Sequence, residues 1–326
     1  ETFFTLTHNR NNYGAFINVE KKLYHFFTTT ERLPETRFNW NNQELFNSNV
    51  YYKNESSFVH FNHKVARSST DFDVSRFDTF HEFSYPKKIA AISLKPFFNM
   101  RESYYSKNRF GEENLWRTVL GGGVDANTKF YRIFDVQTDL LGLNINQLRH
   151  IIEPSIRYES VRHRTVRARE LFQIDNIDAL QDLDRFTFGI DNRLQTKRGI
   201  AGREKTVNIV SYNTYLTYEF NDETYSGSSF LNWTNEIEFR PYNWLRMSFD
   251  NNYDVQNDEF REANVNIQMR EPGKWHLYAQ HKFLKDDSKL VTLDAMYKLN
   301  DRWGIGGYVR FEMDENDTVE EWEIRA

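Results

Sequence analysis

The most regular feature of the sequence is an alternation of apolar and polar positions in its last third. In residues 245–256, Leu245, Met247 and Phe249 alternate with polar side chains. Equivalent alternation recurs at 210–220, 231–239, 261–270, 290–299 and 302–314. Because successive side chains of a β-strand point to opposite faces, this period predicts strands with one apolar and one polar face.

The length and spacing of these segments favour a membrane. They run for about 10 to 14 residues, whereas strands of soluble proteins usually have about 5 or 6 and a tilted bilayer-spanning strand needs about 9 to 11. Short turn-forming stretches separate them, at 241–243, 257–258, 272–274, 286–288, 300–301 and 316–317. Such spacing predicts sequential antiparallel hairpins. We therefore expect an all-β fold, an antiparallel transmembrane β-barrel built as an up-and-down meander.

The first two thirds of the chain are less regular but follow the same pattern. With them, the sequence predicts about 18 strands, and residues 1–326 are expected to form one barrel region. The earlier strands are expected at 13–23, 36–42, 50–64, 72–85, 89–105, 115–126, 129–138, 150–159, 185–196 and 207–220. Residues 160–184 are charged and lack a period. They are expected to form a long loop, which in such barrels belongs on the extracellular side.

Composition agrees with a barrel. Aromatic residues make up 16% of the chain, yet all hydrophobic residues together reach only 39% and the mean hydropathy is −0.75. A disordered chain would share the low hydropathy but not 28 Phe, 18 Tyr and 7 Trp, because disordered segments are poor in aromatic residues. In a barrel only alternate residues face lipid, so a low mean is expected.

A soluble sheet with one face on a core is the alternative, because it would show the same alternation. It is less favoured, since many long antiparallel strands would bury their apolar faces poorly without helices or a second sheet, and helical periodicity is missing.

Charge and cysteine content exclude several other classes. The net charge of −5 argues against a strongly basic nucleic-acid binder. Without cysteine there is no disulfide framework and no thiolate metal site. No window approaches the roughly 18 apolar residues that a spanning helix needs. The chain begins with Glu1-Thr2-Phe3, neither an initiator methionine nor a signal peptide, so we expect it to be processed or cut.

The two parities predict two environments. The polar parity is expected to face the lumen; its members are Arg246, Asp250, Asp254, Asn264, Asn266, Gln268, Arg270, Asp294 and Arg310. Large side chains near the ends of the apolar parity are expected to face lipid and to form interfacial girdles. These are Trp233, Phe239, Phe249, Tyr253, Trp275, Phe283, Trp303 and Phe311.

Few motifs suggest chemistry. His60 and His63, three apart on a strand, point to opposite faces and so cannot easily share a metal. The glycine triplet 121–123 is not followed by Gly-Lys-Ser/Thr and predicts a bend in a strand rather than a phosphate loop. His150 and Glu153 resemble an acid/base pair, but Pro154 favours a structural role. We expect no catalytic site, no metal and no cofactor.

Three patches resemble the lipopolysaccharide-assembly outer-membrane family, the LptD-like translocons. The first is Glu-Arg-Leu-Pro-Glu at 31–35, which includes Arg32, Leu33 and Pro34. The second is Arg-His-Ile-Ile-Glu-Pro at 149–154, and the third is the strand at 184–194, which contains Phe-Thr-Phe-Gly. Their order and separation match the family as well as their letters do. Residues 76–86 and 171–175 also resemble it.

The resemblance implies a barrel of about 26 strands in the outer membrane of a Gram-negative-type cell. A periplasmic jelly-roll domain precedes the barrel in that family, and a small LptE-like plug lipoprotein fills it. Lipopolysaccharide (LPS) arrives from periplasmic bridge proteins and enters the outer leaflet through a lateral opening between the first and last strands. This chain departs from the pattern, because it is too short by several strands and has no recognisable jelly-roll segment. Beside the family we therefore expect it to be an incomplete portion of a larger barrel. A porin or gated solute-uptake barrel would share the periodicity and is the alternative function.

Overall fold

The computed structural model describes residues 2–21, 26–66, 71–199, 202–222, 227–313 and 318–326. The chain divides into two compact units. Unit 1 comprises residues 1–126 and 157–185, and unit 2 comprises 127–156 and 186–326.

Strands dominate the described residues. They are β1 (Thr2–Asn9), β2 (Tyr13–Lys21), β3 (Thr29–Leu45), β4 (Val50–Lys64), β5 (Phe72–Ser84), β6 (Lys87–Ile89), β7 (Ile92–Lys107), β8 (Glu113–Thr128), β9 (Phe130–Thr138), β10 (Ile145–His163), β11 (Leu183–Arg198), β12 (Lys205–Asp222), β13 (Gly227–Tyr242), β14 (Leu245–Asp254), β15 (Glu259–Glu271), β16 (Trp275–Leu284), β17 (Ser288–Lys298), β18 (Gly304–Glu312) and β19 (Thr318–Arg325). Two single 3₁₀ turns lie at Leu140–Gly142 and Ala168–Glu170.

Strand pairing is antiparallel within each unit. In unit 1, β1 pairs with β2, β2 with β3, β3 with β4, β4 with β5, and β5 with β7. In unit 2, β9 pairs with β10, and β12 to β19 pair in chain order. The prediction of an all-β antiparallel meander is confirmed.

Most strands are longer than those of soluble proteins. β10 has 19 residues and β12 has 18, against a usual length of about 5 or 6. Among the described residues, no helix combines the length and the apolar character that crossing a bilayer requires.

The buried core of unit 1 is small and includes a loop residue. Val59 and Phe61 of β4, Val74 of β5 and Tyr105 of β7 pack together with Leu171, which lies between β10 and β11. Leu171 is only 1% exposed. The connection between these two strands therefore lies against a face of the unit 1 sheet.

Several boundaries differ from those predicted; β3, expected at 36–42, spans Thr29–Leu45, and β10, expected at 150–159, spans Ile145–His163. The strand expected at 89–105 begins only at Ile92, because β6 and β7 form a tight hairpin in which Ile89 lies opposite Ile92. Ala90 takes the left-handed conformation with a φ of 51°, and a turn at Ala90 and Ala91 carries none of the usual glycine, proline or asparagine signals.

The long loop predicted at 160–184 is also shorter, at 164–182, because charged residues at its ends remain in strands. Arg162 at the end of β10 hydrogen-bonds Asp184 at the start of β11, and His163 pairs with Asp182 at 2.6 Å.

The alternation in the sequence also does not single out the eight-residue strands β1 and β19. The turn predicted at 316–317 lies outside the described residues.

Candidate functional site

One face of the unit 2 sheet is polar across successive strands. The register sets Ser248 opposite Asn266, Asn266 opposite Gln280, Gln280 opposite Thr292, and Thr292 opposite Arg310. Directly opposed residues of antiparallel strands share a face. This row therefore runs across five neighbouring strands, β14 to β18.

All nine residues predicted for the polar parity lie on that same face, which we call the polar face. The strand registers that establish it join Arg246 to Gln268, Asp250 to Asn264, Arg270 to His276, Asp294 to Tyr308, and Asp254 to Asn232. Asn266 and Arg310 belong to the row described above.

Hydrogen bonds between strands hold the polar face together. Asn266 donates from Nδ2 to Ser248 Oγ at 3.2 Å, and its Oδ1 accepts from Tyr278 Oη at 3.0 Å and from Gln280 Nε2 at 2.8 Å. Side chains of three strands thus meet at one amide, and each satisfies part of another's hydrogen-bonding capacity.

Charged groups on the polar face are paired across strands. Asp294 of β17 accepts a hydrogen bond from Arg325 of β19 and pairs with His276 of β16. Asn264 donates to Asp250 at 2.7 Å. The face is therefore mixed in charge and mainly hydrophilic, with several carboxylates beside cations and with Leu290 and Met296 as apolar members.

The opposite face of the same strands is mainly apolar and aromatic, although His281 and Lys289 also lie on it. Seven of the eight predicted lipid-facing or girdle residues occupy it within strands: Trp233, Phe239, Phe249, Tyr253, Trp275, Phe283 and Phe311. Trp303 directly precedes β18 and is 62% exposed. The register thus separates the two predicted sets onto the two faces.

Two asparagines interrupt the apolar face and satisfy each other. Asn235 donates to Asn251 at 3.3 Å, and Asn235 Oδ1 accepts from Tyr212 and Thr214 at 3.0 and 2.8 Å. Both asparagines are nearly buried. Mutual pairing removes the large cost of an unpartnered polar group in apolar surroundings.

In unit 1, the 164–182 segment docks on the sheet through a buried arginine. Arg76 of β5 donates from both terminal nitrogens to Asp175, at 2.7 and 2.6 Å, and also to Asp178 at 2.7 Å. Tyr105 of β7 donates to the same oxygen of Asp178 at 2.8 Å. Two strands thereby hold two carboxylates of the segment.

A second arginine holds the backbone of the segment. Arg117 of β8 is fully buried and donates to the carbonyl oxygens of Ile177 at 2.7 Å and Leu180 at 2.5 Å. It also contacts Nε2 of His163. Arginine suits this position because its planar fork of donors can serve several acceptors at once.

Apolar contacts complete the docking. Phe172 stacks on Phe72 with ring centroids 4.0 Å apart, and Leu171 enters the core beside Phe61 and Val74. The segment is therefore anchored by its side chains as well as by its ends.

The surroundings of Asp175 stabilise its ionised form beside Arg76. Burial acts to raise the pKa of Asp175, but the hydrogen bonds and positive charge of Arg76 and the nearby backbone N–H groups outweigh it, so the pKa is lowered from its usual value. Asp175 is therefore ionised in the folded protein at neutral pH.

The docked segment covers only one face of β4, β5 and β7. Arg76 lies opposite Val59 and Tyr105 on the covered face. Phe77, which follows Arg76, lies opposite Phe58 and Tyr104 on the other face. Phe58 and Phe77 are about two-fifths exposed, at 41% and 40%.

The first family-like patch forms a local irregularity in unit 1. Arg32 donates to buried Glu35 at 3.2 Å, and the pairing of β3 with β4 shifts register between these two residues. Leu33 and Pro34 lie between them, joined by a cis peptide bond.

The second and third patches meet in unit 2. Glu153, next to Pro154 in β10, forms an ion pair with Lys129 at 2.9 Å and accepts a hydrogen bond from Arg193 of β11. His150 lies opposite Arg132 of β9. Glu153 of β10 therefore forms an ionic bridge to Arg193 of β11.

The glycine triplet lies inside β8. A Cβ on Gly123 would lie 2.0 Å from the carbonyl oxygen of Tyr158, so the backbones approach too closely for any side chain. Nowhere in the described ranges do three His, Cys, Asp or Glu side chains gather in a way that could hold a metal ion.

Sequence reasoning missed the anchoring role of Arg76, Tyr105 and Arg117. A faint signal exists, because Arg76 shares its parity with Phe72 and Val74, and Arg117 shares its parity with Leu115 and Val119. A charged residue in the apolar parity of a strand indicates a buried partner. The identity of that partner cannot be read from the pattern.

The sequence matches a known protein family over most of its length. Among curated proteins, none matches the chain. A family model described as LPS transport system D (LptD) matches residues 15–303, which is most of the 326 residues. With the antiparallel meander and the separated faces, this match establishes that the chain belongs to the LPS transport system D family, whose members are outer-membrane β-barrel proteins of LPS assembly.

Proposed function

We propose that the polar face of unit 2 lines the water-filled interior of the barrel and conducts the sugar portion of LPS during its assembly into the outer membrane. The observation that carries the proposal is the separation of faces over the eight consecutive strands β12 to β19. Transmembrane barrels require this arrangement, with apolar side chains toward lipid and polar ones toward the lumen.

The chemistry of LPS suits two such environments. Its sugars and phosphates would lose much hydration energy in hydrocarbon, whereas its acyl chains would be poorly placed in a wet interior. A polar interior next to lipid lets each part remain in its preferred solvent. No covalent step is needed, and we propose that the chain is a transport protein and not an enzyme.

The docked 164–182 segment supports a matching assignment in unit 1. Irregular backbone is not tolerated in contact with lipid, because water is absent there to satisfy its polar groups. The face that bears Arg76 and Arg117 is therefore the inner face. Phe58, Phe77 and Tyr104 then face lipid.

Family membership supports the remaining partners. LPS is the substrate of the family. We extend the proposal to delivery by periplasmic bridge proteins, to a plug lipoprotein inside the barrel, and to release of LPS through a lateral opening. The porin alternative has no comparable support from the family match.

Depletion of the protein tests the proposal. Cells in which its expression is switched off should lose newly made LPS from the surface, as measured by labelling LPS on intact cells. Re-expression of the wild-type chain should restore the label. Normal surface LPS after depletion, together with ion conductance of the purified protein in planar bilayers, would instead support a porin.

A further inference from the structure

A cavity of about 570 Å³ lies at one end of the unit 2 sheet and is rich in arginine. It is lined by Arg198 at the end of β11, by Arg240 and Glu238 of β13, by Arg246 of β14 and by Arg270 of β15. We call it the basic cavity. Its volume falls within the range of about 300 to 1,000 Å³ usual for small-molecule sites.

The charges around the basic cavity do not cancel. Glu238 is shared, with its oxygens 2.6 Å from Arg240 Nε and 2.5 Å from Arg246 Nη2. Within the part of the chain that the structure describes, neither Arg198 nor Arg270 forms an ion pair. Four guanidinium groups against one carboxylate leave a formal charge of +3.

Arg198 is fixed in place without being neutralised. It is 9% exposed and donates from Nη2 to the carbonyl oxygens of Leu143 at 3.0 Å and of Pro241. Its Nε is buried and has no hydrogen-bond partner among the described residues. A buried cation held by carbonyl groups alone favours an anion beside it.

The rest of the lining suits a sugar. Thr206, Asn208 and Gln268 offer neutral hydrogen-bonding groups to the cavity. Tyr242 and Trp244 stack almost parallel, with ring centroids 5.1 Å apart, and form a flat wall. The cavity can therefore bind the hydroxyl groups of a sugar through its neutral side chains and the face of a sugar ring against Tyr242 and Trp244, beside the guanidinium groups.

We propose that the basic cavity binds the phosphorylated sugar headgroup of LPS. Guanidinium groups recognise phosphate oxygens through paired, charge-assisted hydrogen bonds, and this recognition is stronger than that of neutral groups. The inference rests on the proposed function, since it names the part of the substrate that this portion of the polar face recognises. Arg246, Arg270 and Gln268 of the lining belong to the polar face.

Binding by the full-length protein in detergent micelles tests this assignment. The probes are lipid A bearing two phosphates, the same lipid A with its phosphates removed, and inorganic phosphate, each followed by calorimetry. The wild-type protein should bind phosphorylated lipid A about 10- to 100-fold more tightly than the dephosphorylated form, because charge-assisted hydrogen bonds are lost with the phosphates.

Variants locate the site. The double variant Arg246→Gln, Arg270→Gln should lose about 10-fold or more in affinity for phosphorylated lipid A, and Arg270→Lys should retain part of it. Arg310→Gln is the matched control, because Arg310 lies on the polar face but outside the cavity lining. Equal affinities of the wild type and the double variant would overturn the proposal.

A competition experiment distinguishes binding of inorganic phosphate from binding of the phosphates of lipid A. If inorganic phosphate binds with the same dependence on Arg270 but does not compete with lipid A, the cavity is a simple anion site and the headgroup assignment is wrong. If lipid A does not bind at the basic cavity, the outcome of the depletion experiment is not affected. Loss of surface LPS on depletion would then uphold the proposed function without this site.

Discussion

Arg76 and Asp175 lie 99 residues apart in the chain and form a two-point ion pair, with N–O distances of 2.7 and 2.6 Å. Arg76 is almost fully buried, whereas Asp175 is partly exposed on the docked segment. The pair connects a strand to a loop that has little secondary structure of its own. Its geometry makes the docking of residues 164–182 directly testable.

Removal of the arginine should release the segment. Arg76→Ala leaves Asp178 buried beside Tyr105 without its cation, and loss of one partner of a buried ion pair costs about 3 to 5 kcal/mol. Protease cleavage within 164–182 should accelerate, and thermal unfolding in detergent should shift downward. Lys107→Ala is the control, since its ion pair with Asp73 is largely exposed and such pairs contribute about 0 to 1 kcal/mol. Equal effects of the two substitutions would contradict the anchoring role.

Arg117 should be sensitive even to a substitution that keeps its charge. Lysine cannot present the planar fork that serves the carbonyl groups of Ile177 and Leu180 together. Arg117→Lys is therefore expected to raise amide hydrogen exchange across 177–180 by about tenfold, because roughly one hydrogen bond is lost. Unchanged protection of these amides in the variant would show that the carbonyl contacts do not hold the segment.

Acid should release the segment only below the ordinary carboxylate range. The pKa of Asp175 is lowered in the folded protein, so its stabilising contribution is complete above the usual aspartate value of about 3.9 and is lost as the pH falls through the folded value. Hydrogen exchange of 164–182, corrected for intrinsic rates, should stay constant from about pH 8 to pH 5 and rise below about pH 4. Asp175→Asn should weaken this dependence, and the remainder should come from Asp182, whose pKa is also lowered. Release of the segment between pH 7 and pH 5 would be inconsistent with the lowered pKa.

The two faces of β15 should respond differently to arginine. Val265→Arg places a charge on the apolar face and should cost about 2 to 4 kcal/mol near the middle of the bilayer. Asn264→Arg should cost little, because Asp250 and Glu262, which now accept hydrogen bonds from Asn264, lie beside it. Folding into detergent or lipid vesicles, followed by urea titration, measures both. Similar losses at the two positions would reject the assignment of faces.

A methyl group at Gly123 should push two strands apart. The added Cβ would lie 2.0 Å from the carbonyl oxygen of Tyr158 and 2.8 Å from Phe97 Cζ, so Gly123→Ala should destabilise the protein by about 1 to 3 kcal/mol, as overpacking does. At Gly307 the nearest atom would be 3.6 Å away. Gly307→Ala is therefore the matched control and should be nearly neutral. If Gly123→Ala unfolds at the same urea concentration as that control, the close approach of the strands is not constraining.

Much of unit 2 could be predicted from the sequence. The side-chain period of a strand is exactly two, so the parity of Phe249 and Val265 against Asp250 and Asn264 determines which residues share a face before any register is known. The register then joins these residues across neighbouring strands as expected. Local chemistry sufficed here because each strand repeats one simple pattern.

The anchoring of the 164–182 segment could not be predicted in this way. Its contacts join Arg76 to Asp175 and Arg117 to Leu180, over separations that no local pattern encodes. The basic cavity likewise collects Arg198, Arg246 and Arg270 from three strands.

By itself, then, the sequence determined the strands, their two faces and, through its motifs, the family. Only the tertiary structure decided which face the loop covers and which arginines converge. The physical reason is that alternation is a property of neighbouring residues, whereas burial and charge pairing depend on parts of the chain that meet only after folding.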